Sequence, residues 1–488
     1  MMVSTDSDGT IAPGRAPRGG GPGRGEPGGA LRPGRRGQAR RRGEHGGVPR
    51  RGGRGPRQAA RAGWLTISLA VSIAAGLAAC SSGSPTGSAS ASGSLRPIPA
   101  VTSCAWPSLV SVQVSNTGMP DSAAAYWFQP VVAGSTTRIV VSGRYPDARY
   151  ASLSVYTPAG SLFAVNGVGS SLTDYRIAPE PGSVNPWQQP TAPGGRFVVT
   201  VRSDVSAGQV NTLPLPPGTS SRHPGYLLYR VYLPAGGGFS RVQLPQVTVQ
   251  QGSVTRTLPA CRSHDARVPV PVSASGPAAG PSDAAAPTPP ELEFYNAGQS
   301  VAGALPNADT SYVLAYLVRP PEPDVVVVTG KAPTSAPGSH PSPWPARGED
   351  IRYWSMCIGA GVRDLPTVVN RLAGGGTDYG CRADQATRLN AAGDYTYVIG
   401  AESQRAAIER IPGVTFLPFS TSLPTKLYVL LLRNMLVSSQ FTNSVQSVTP
   451  ADDPAAAAAA MGAYYPRASV CPLATLTAKG AAACGHPR

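Results

Sequence analysis

The chain has 488 residues and a formal net charge of +16, and its 57 glycines and 52 prolines, set against only eight phenylalanines, argue against an all-helical protein. The charge is concentrated at one end: residues 1–62 hold fourteen arginines and only four acids (Asp6, Asp8, Glu26 and Glu44), which is +10 of the total. A Gly/Arg/Pro segment of this kind lacks the apolar side chains that offset chain-ordering entropy, so disorder is expected there. With it set aside, the remaining charge no longer argues for a nucleic-acid partner.

Residues 63–79 carry no charge, and Leu65, Ile67, Leu69, Val71, Ile73 and Leu77 form an apolar run behind Arg57 and Arg61. The run is shorter than the ~20 apolar residues a spanning helix needs and has the layout of an export signal. It ends in Leu77-Ala78-Ala79-Cys80. That ending resembles the lipobox of bacterial lipoproteins, which implies removal of the preceding peptide, diacylation (palmitate) of the Cys80 thiol, and a protein tethered to the extracytoplasmic face of the cell membrane. Translation starting nearer Val48 would leave a signal of ordinary length. Arg50-Arg51 lacks the usual twin-arginine context, because Gly52 and Gly53 follow it.

From Cys80 onward there are 409 residues, enough for two domains. Residues 80–100 begin with a Ser/Gly/Ala stretch that reads as a flexible tether. Beyond Cys80 six cysteines remain, an even set in an exported chain, and these allow 15 pairings. The preferred set is Cys104–Cys261, closing one domain, with Cys357–Cys381 and Cys471–Cys484 closing short loops. None of these spacings is zinc-like, so no metal or cofactor is expected.

In residues 101–261, short Val/Tyr/Thr-rich runs such as Ala151-Ser152-Leu153-Ser154-Val155-Tyr156 alternate with Gly/Pro punctuation, the pattern of an antiparallel β-sandwich or jelly-roll-like domain. Residues 262–290 are an Ala/Ser/Pro-rich linker or long loop. Residues 291–450 then replay the first domain. Val140-Val141-Ser142-Gly143 is echoed by Val327-Val328-Thr329-Gly330, and Gly195-Arg196-Phe197 by Gly393-Asp394-Tyr395. Arg149-Tyr150-Ala151-Ser152 is echoed by Arg352-Tyr353-Trp354-Ser355, and Leu228-Tyr229-Arg230 by Leu431-Leu432-Arg433. Four echoes in one order predict two related domains, mainly β, with a few short helices in the C-terminal half. Helices are expected at residues 401–410, across residues 432–445, and from Ala455 to Met461 with Asp453 as N-cap and Pro454 at the first position. Residues 451–488 read as that short helix and a Cys-pinned tail.

The segments Gly330-Lys331-Ala332-Pro333-Thr334, Arg352-Tyr353-Trp354-Ser355-Met356-Cys357 and Leu432-Arg433-Asn434-Met435-Leu436 resemble motifs of uncharacterised exported proteins of high-GC Gram-positive bacteria. The resemblance covers most of residues 104–447 and implies no activity.

Catalytic signatures are sparse. The chain has no G-x-S-x-G elbow, no H-E-x-x-H and no P-loop, and His223, beside Pro224-Gly225, reads as a turn residue. The repeated arginines are the stronger lead. Arg230 and Arg433 lie within apolar runs where an unpaired guanidinium is costly, so Arg149, Arg230, Arg352 and Arg433 need partners. Asp174 and Asp384, downstream of the first arginine of each half, are the expected carboxylates of structural ion pairs. The competing expectation is that Arg149, Tyr150, Arg352 and Tyr353 line a concave face for an anionic or sugar ligand, joined by Trp187 in the loop Asn185-Pro186-Trp187-Gln188. The expected function is non-catalytic binding of a cell-wall or other extracellular ligand, a polysaccharide first. The alternatives are a structural or assembly lipoprotein engaging an envelope protein, and a carboxylate-dependent glycan-active enzyme.

Overall fold

The computed structural model describes residues 102–191, 194–264, 292–296, 298, 305–362 and 364–485. Cys80, the apolar run before it, the tether and nearly all of the linker lie outside the described residues.

The protein is mainly β. In the first half, one sheet runs in the order β1 (Ser108–Val110), β2 (Ala124–Val131), β10 (Gly225–Pro234), β4 (Ala148–Tyr156), β7 (Ser171–Thr173). A second sheet runs β12 (Val254–Leu258), β11 (Gln246–Gln251), β3 (Thr137–Arg144), β8 (Arg196–Arg202), β9 (Thr212–Pro214). A small hairpin, β5 (Ala164–Val165) and β6 (Val168–Gly169), stands apart.

The second half repeats this order. Its first sheet is β13 (Thr310–Val318), β21 (Leu427–Val437), β15 (Ile351–Ala360), β18 (Cys381–Ala383). Its second is β20 (Val414–Pro418), β19 (Asp394–Gly400), β14 (Asp324–Lys331), β22 (Arg467–Pro472), with β16 (Val369–Arg371) and β17 (Thr377–Tyr379) as the extra hairpin. The equivalence holds residue by residue. Gly143 faces Phe197 as Gly330 faces Tyr395, and Arg230 faces Ser152 as Arg433 faces Ser355. Even the one parallel pair recurs, β8 with β9 and β19 with β20. The two halves are related sandwiches, as their echoes predict.

All three expected disulfides are formed: Cys104–Cys261, Cys357–Cys381 and Cys471–Cys484. Two local expectations are corrected. Residues 432–437 continue the strand β21 rather than a helix, and the segment expected to be a pinned tail supplies β22, which pairs with β14 as β11 pairs with β3. Between these strands the second half inserts the helix α2 (Pro454–Met461), with Asp453 Oδ1 accepting from the Ala455 and Ala456 amides at 2.8 and 3.1 Å. Further α-helices among the described residues are α1 (Arg405–Ile408) and α3 (Leu473–Lys479). Among the described residues, no helix is long and apolar enough to cross a membrane.

Each half fills its sandwich with its own core, around Trp127, Val141, Leu153 and Val199 in the first and Val328, Trp354, Tyr397 and Leu430 in the second. An ordinary two-sheet sandwich leaves each sheet's outer face to water. Here β4, β10 and β15 are buried at every position, and β21 at all but its last. The first sheets of the two halves press their outer faces together, and Tyr150, Tyr232, Tyr353 and Met435 form a third core between them. The sheets therefore stack four deep.

Candidate functional site

The strongest concentration of chemistry lies in this central layer. Arg149 and Arg352 occupy equivalent positions on β4 and β15, and both are essentially inaccessible, at 1% and 0% exposure. Asp174 and Asp384 open equivalent single turns of 3-10 helix, Asp174–Arg176 and Asp384–Ala386. The ion pairs form, but they are crossed: Arg149 of the first half binds Asp384 of the second, and Arg352 of the second binds Asp174 of the first at 2.6 Å. Pairing within each half is thereby overturned. Arg and Asp stand on the face turned toward the other half, so a two-fold-like arrangement of equivalent surfaces brings each arginine against the opposite carboxylate.

The surroundings complete the pairs. Arg149 also donates through Nε to the Gly338 carbonyl (2.6 Å) and through Nη2 to Gln385 Oε1 (2.9 Å). Arg352 is held between the rings of Tyr175 and Trp344, 5.6 and 5.2 Å from their centroids, and its Nε and Nη2 make no hydrogen bond. The rings supply cation–π attraction in place of the missing acceptors. Asp174 accepts from the Ala151 amide (2.7 Å) and the Tyr175 amide (2.5 Å).

Burial pushes the Asp174 carboxyl up to about 6, against the downward pull of Arg352, and raises Asp384 in the same direction against Arg149. The folded protein therefore holds the Asp174 proton to higher pH than the unfolded chain, whose aspartates titrate near about 4. Between about pH 4 and 6 the native state binds more protons, so this group's contribution falls as pH rises, by roughly 1.4 kcal/mol per unit, and levels off above the folded value. Urea-unfolding midpoints measured across that window should show the decline in the wild type and a flatter curve in Asp174→Asn.

A second crossed connection involves Asp121, fully buried, which the sequence reading passed over. It lies on the segment preceding β2, and that segment packs on the other half's sheet, where the Gly118 and Met119 amides donate to the Asp364 and Leu365 carbonyls, both at 2.8 Å. Asp121 Oδ2 accepts from Arg433 Nη1 (2.7 Å), the Tyr353 hydroxyl (2.8 Å) and Ser355 Oγ (2.7 Å). Arg433 Nη2 donates to the Met119 carbonyl at 2.9 Å. Gly359 lies under Met119, and a Cβ there would sit 2.7 Å from the sulfur, so any larger residue would make the Met119 side chain shift. A buried group of Asp121, Cys357 and Cys381 has a spacing that could suit a metal, but the two sulfurs are joined in the disulfide and offer no thiolates.

The five residues expected to meet a ligand are placed together, but inside. Tyr150, Tyr353 and Trp187 are as buried as the two arginines and offer no face to solvent. The Tyr150 hydroxyl donates to Asp309 (2.8 Å), and Trp187 Nε1 donates to the Arg149 carbonyl (3.0 Å). The loop carrying Trp187 is a plug: Asn185 Nδ2 ties down the Asp174 and Ile177 carbonyls at 2.8 and 2.7 Å. His223 is exposed, its amide bonded to the Ser220 carbonyl in a turn. The signal that would have found Asp121 is an echo not used: Met119-Pro120-Asp121 precedes Tyr126 as Leu305-Pro306-Asn307 precedes Tyr312.

No protein-family model matches the chain, and neither does any curated protein. Among solved structures, it is similar to an uncharacterised protein from Burkholderia cenocepacia at 13% identity, over 76% of this chain and 83% of the other, with a TM-score of 0.44. It is also similar to an anti-sigma factor domain-containing protein (8% identity, 71% and 78% covered, TM-score 0.14) and to another from Clostridium clariflavum (9%, 64% and 76%, 0.14).

Proposed function

We propose that this is an exported lipoprotein, anchored through Cys80 to the extracytoplasmic face of the membrane, that binds a cell-wall or other extracellular ligand without transforming it. A polysaccharide is the first candidate. The observation that carries the non-catalytic reading is where the buried carboxylates are spent. Asp121, Asp174 and Asp384 are the buried acids among the described residues, and each is engaged by an arginine of the opposite half. A glycan-cleaving pair instead needs two carboxyl groups flanking an accessible bond. Three disulfides support an oxidising compartment. With Arg149, Arg230, Arg352 and Arg433 internal, together with Trp106, Trp127, Trp187, Trp344 and Trp354, the protein is a double body whose ligand contacts fall to its rims and loops.

Two measurements test this. Mass spectrometry of membrane-extracted protein should find a diacylated N-terminal Cys80, and an unmodified or uncleaved N-terminus would overturn the anchor. A glycan array probed with the disulfide-intact exported chain should show saturable binding to a wall polysaccharide without release of fragments. Silence across the array, or cleavage of a bound glycan, would overturn the ligand or the non-catalytic reading respectively.

A further inference from the structure

The two halves match closely enough that the place where they differ is informative. Arg433 and Arg230 are equivalent: Arg433 faces Tyr312 and Ser355 across its sheet, and Arg230 faces Tyr126 and Ser152. The packing segments match as well, with Met119 and Leu305 both at positive φ (51° and 77°) two residues before Asp121 and Asn307. Arg433 Nη2 donates to the Met119 carbonyl, and Arg230 Nη2 reaches the equivalent Leu305 carbonyl at 3.4 Å. At the next atom the equivalence fails, because an amide stands where the second half's arginine finds a carboxylate.

Arg230 is 3% exposed, and among the described residues no carboxylate pairs with it. Its other polar contact is the Tyr156 hydroxyl at 3.2 Å, and its guanidinium lies 5.4 Å from the centre of the Tyr126 ring. Burial pushes the neighbouring Tyr150 and Tyr232 hydroxyls well above the ordinary phenol range, so they are neutral and do not offset its charge. Arg230 Nε and Nη1, Ser152 Oγ and Asn307 Nδ2 are all buried and without hydrogen-bond partners. The Asn307 amide cannot simply turn round, because its Oδ1 already accepts from the Asp309 backbone amide at 3.1 Å, where a turned Nδ2 would meet a second donor. The neighbouring volume is also smaller-lined. Where Arg433 Nη1 touches Cys357 Sγ at 3.0 Å, the first half has Ser154, bonded to Ser171 (2.9 Å) in the register the second half uses for its disulfide.

We propose that Arg230, Ser152 and Asn307 form a binding site for a small monovalent inorganic anion of chloride size, which sits beside the Asn307 amide and balances the Arg230 charge as the Asp121 carboxylate balances Arg433 in the second half. These unpartnered donors come from three elements, beside a buried positive charge. A water molecule would satisfy some of the donors but would leave the charge uncompensated.

The test uses bromide as the probe and Asn307→Asp as the variant, since the second half already folds around an aspartate at this position. Crystals grown in sodium bromide should show an anomalous peak within hydrogen-bond distance of Arg230 and Asn307 in the wild type, and none there in Asn307→Asp. In solution at fixed ionic strength, exchanging a large organic anion for chloride should raise the wild-type Tm by about 2–4 °C and leave Asn307→Asp unchanged. Bromide confined to surface arginines, a peak that persists in Asn307→Asp, or a wild-type Tm indifferent to chloride would each overturn the site.

Discussion

Arg352→Ala is expected to destabilise the protein by about 3–5 kcal/mol at pH 8, read as a lowered urea midpoint, because it strands the fully buried Asp174 carboxylate. The cost should be smaller at pH 5. Protonation relieves the stranded acid, and without Arg352's downward pull Asp174 takes up its proton even more readily than in the wild type. Because the pair joins the two halves, a second effect follows: a single wild-type unfolding transition should broaden or split as the halves lose their coupling. Arg149→Ala should behave alike through Asp384, with the additional loss of the Gly338 and Gln385 contacts. Replacing both partners, as in Arg352→Met with Asp174→Leu, should recover much of the loss, since a buried pair exchanged for apolar packing is often neutral. A single-variant cost below 1 kcal/mol at pH 8 would show that the crossed pairs do not hold the halves together.

The sequence carried most of the fold because strand runs, turn punctuation and cysteine spacing are local signals. It also showed that the arginines inside apolar runs need partners, a demand set by desolvation alone. What it could not carry was the choice between a carboxylate in the same half and its equivalent in the other, because duplication makes Asp174 and Asp384 chemically interchangeable as candidates. One available signal was misread. The near-continuous apolar run Leu427-Tyr428-Val429-Leu430-Leu431-Leu432 is what a strand buried on both faces looks like, and it implies a covered outer sheet face. Reading the continuation of that run from Leu432 onward as helix, and leaving the outer sheet face open, hid the third core, and with it the reason Tyr150, Trp187 and Tyr353 are internal rather than free to stack on a sugar. β22 was hidden for a different cause: its partner β14 lies well over a hundred residues upstream, and nothing in Arg467-Ala468-Ser469-Val470 announces a strand that distant in sequence.

The other large effect is expected at Asp121. Its Oδ2 is the common acceptor for the Arg433 guanidinium, the Tyr353 hydroxyl and Ser355 Oγ, so Asp121→Ala removes one carboxylate and orphans three buried donors together. An uncompensated buried charge costs about 3–5 kcal/mol, and each stranded neutral donor adds up to a further ~1–3, so a loss of about 5 kcal/mol or more is expected in urea unfolding of the oxidised protein. Asp121→Asn is the more discriminating substitution. It keeps the shape and the Oδ1 acceptor for the Ala123 amide, while giving Arg433's half the amide that the first half meets at the equivalent Asn307. If the first half tolerates its amide by recruiting an anion, Asp121→Asn should be rescued in part by chloride where Asp121→Ala is not. The bulk of Cys357 beside Arg433 Nη1 should make that rescue weaker than at Arg230. A near-wild-type Asp121→Asn beside a damaged Asp121→Ala, with no chloride response in either, would mean that the carboxylate's charge is dispensable and that the lost packing of its side chain is what the interface feels.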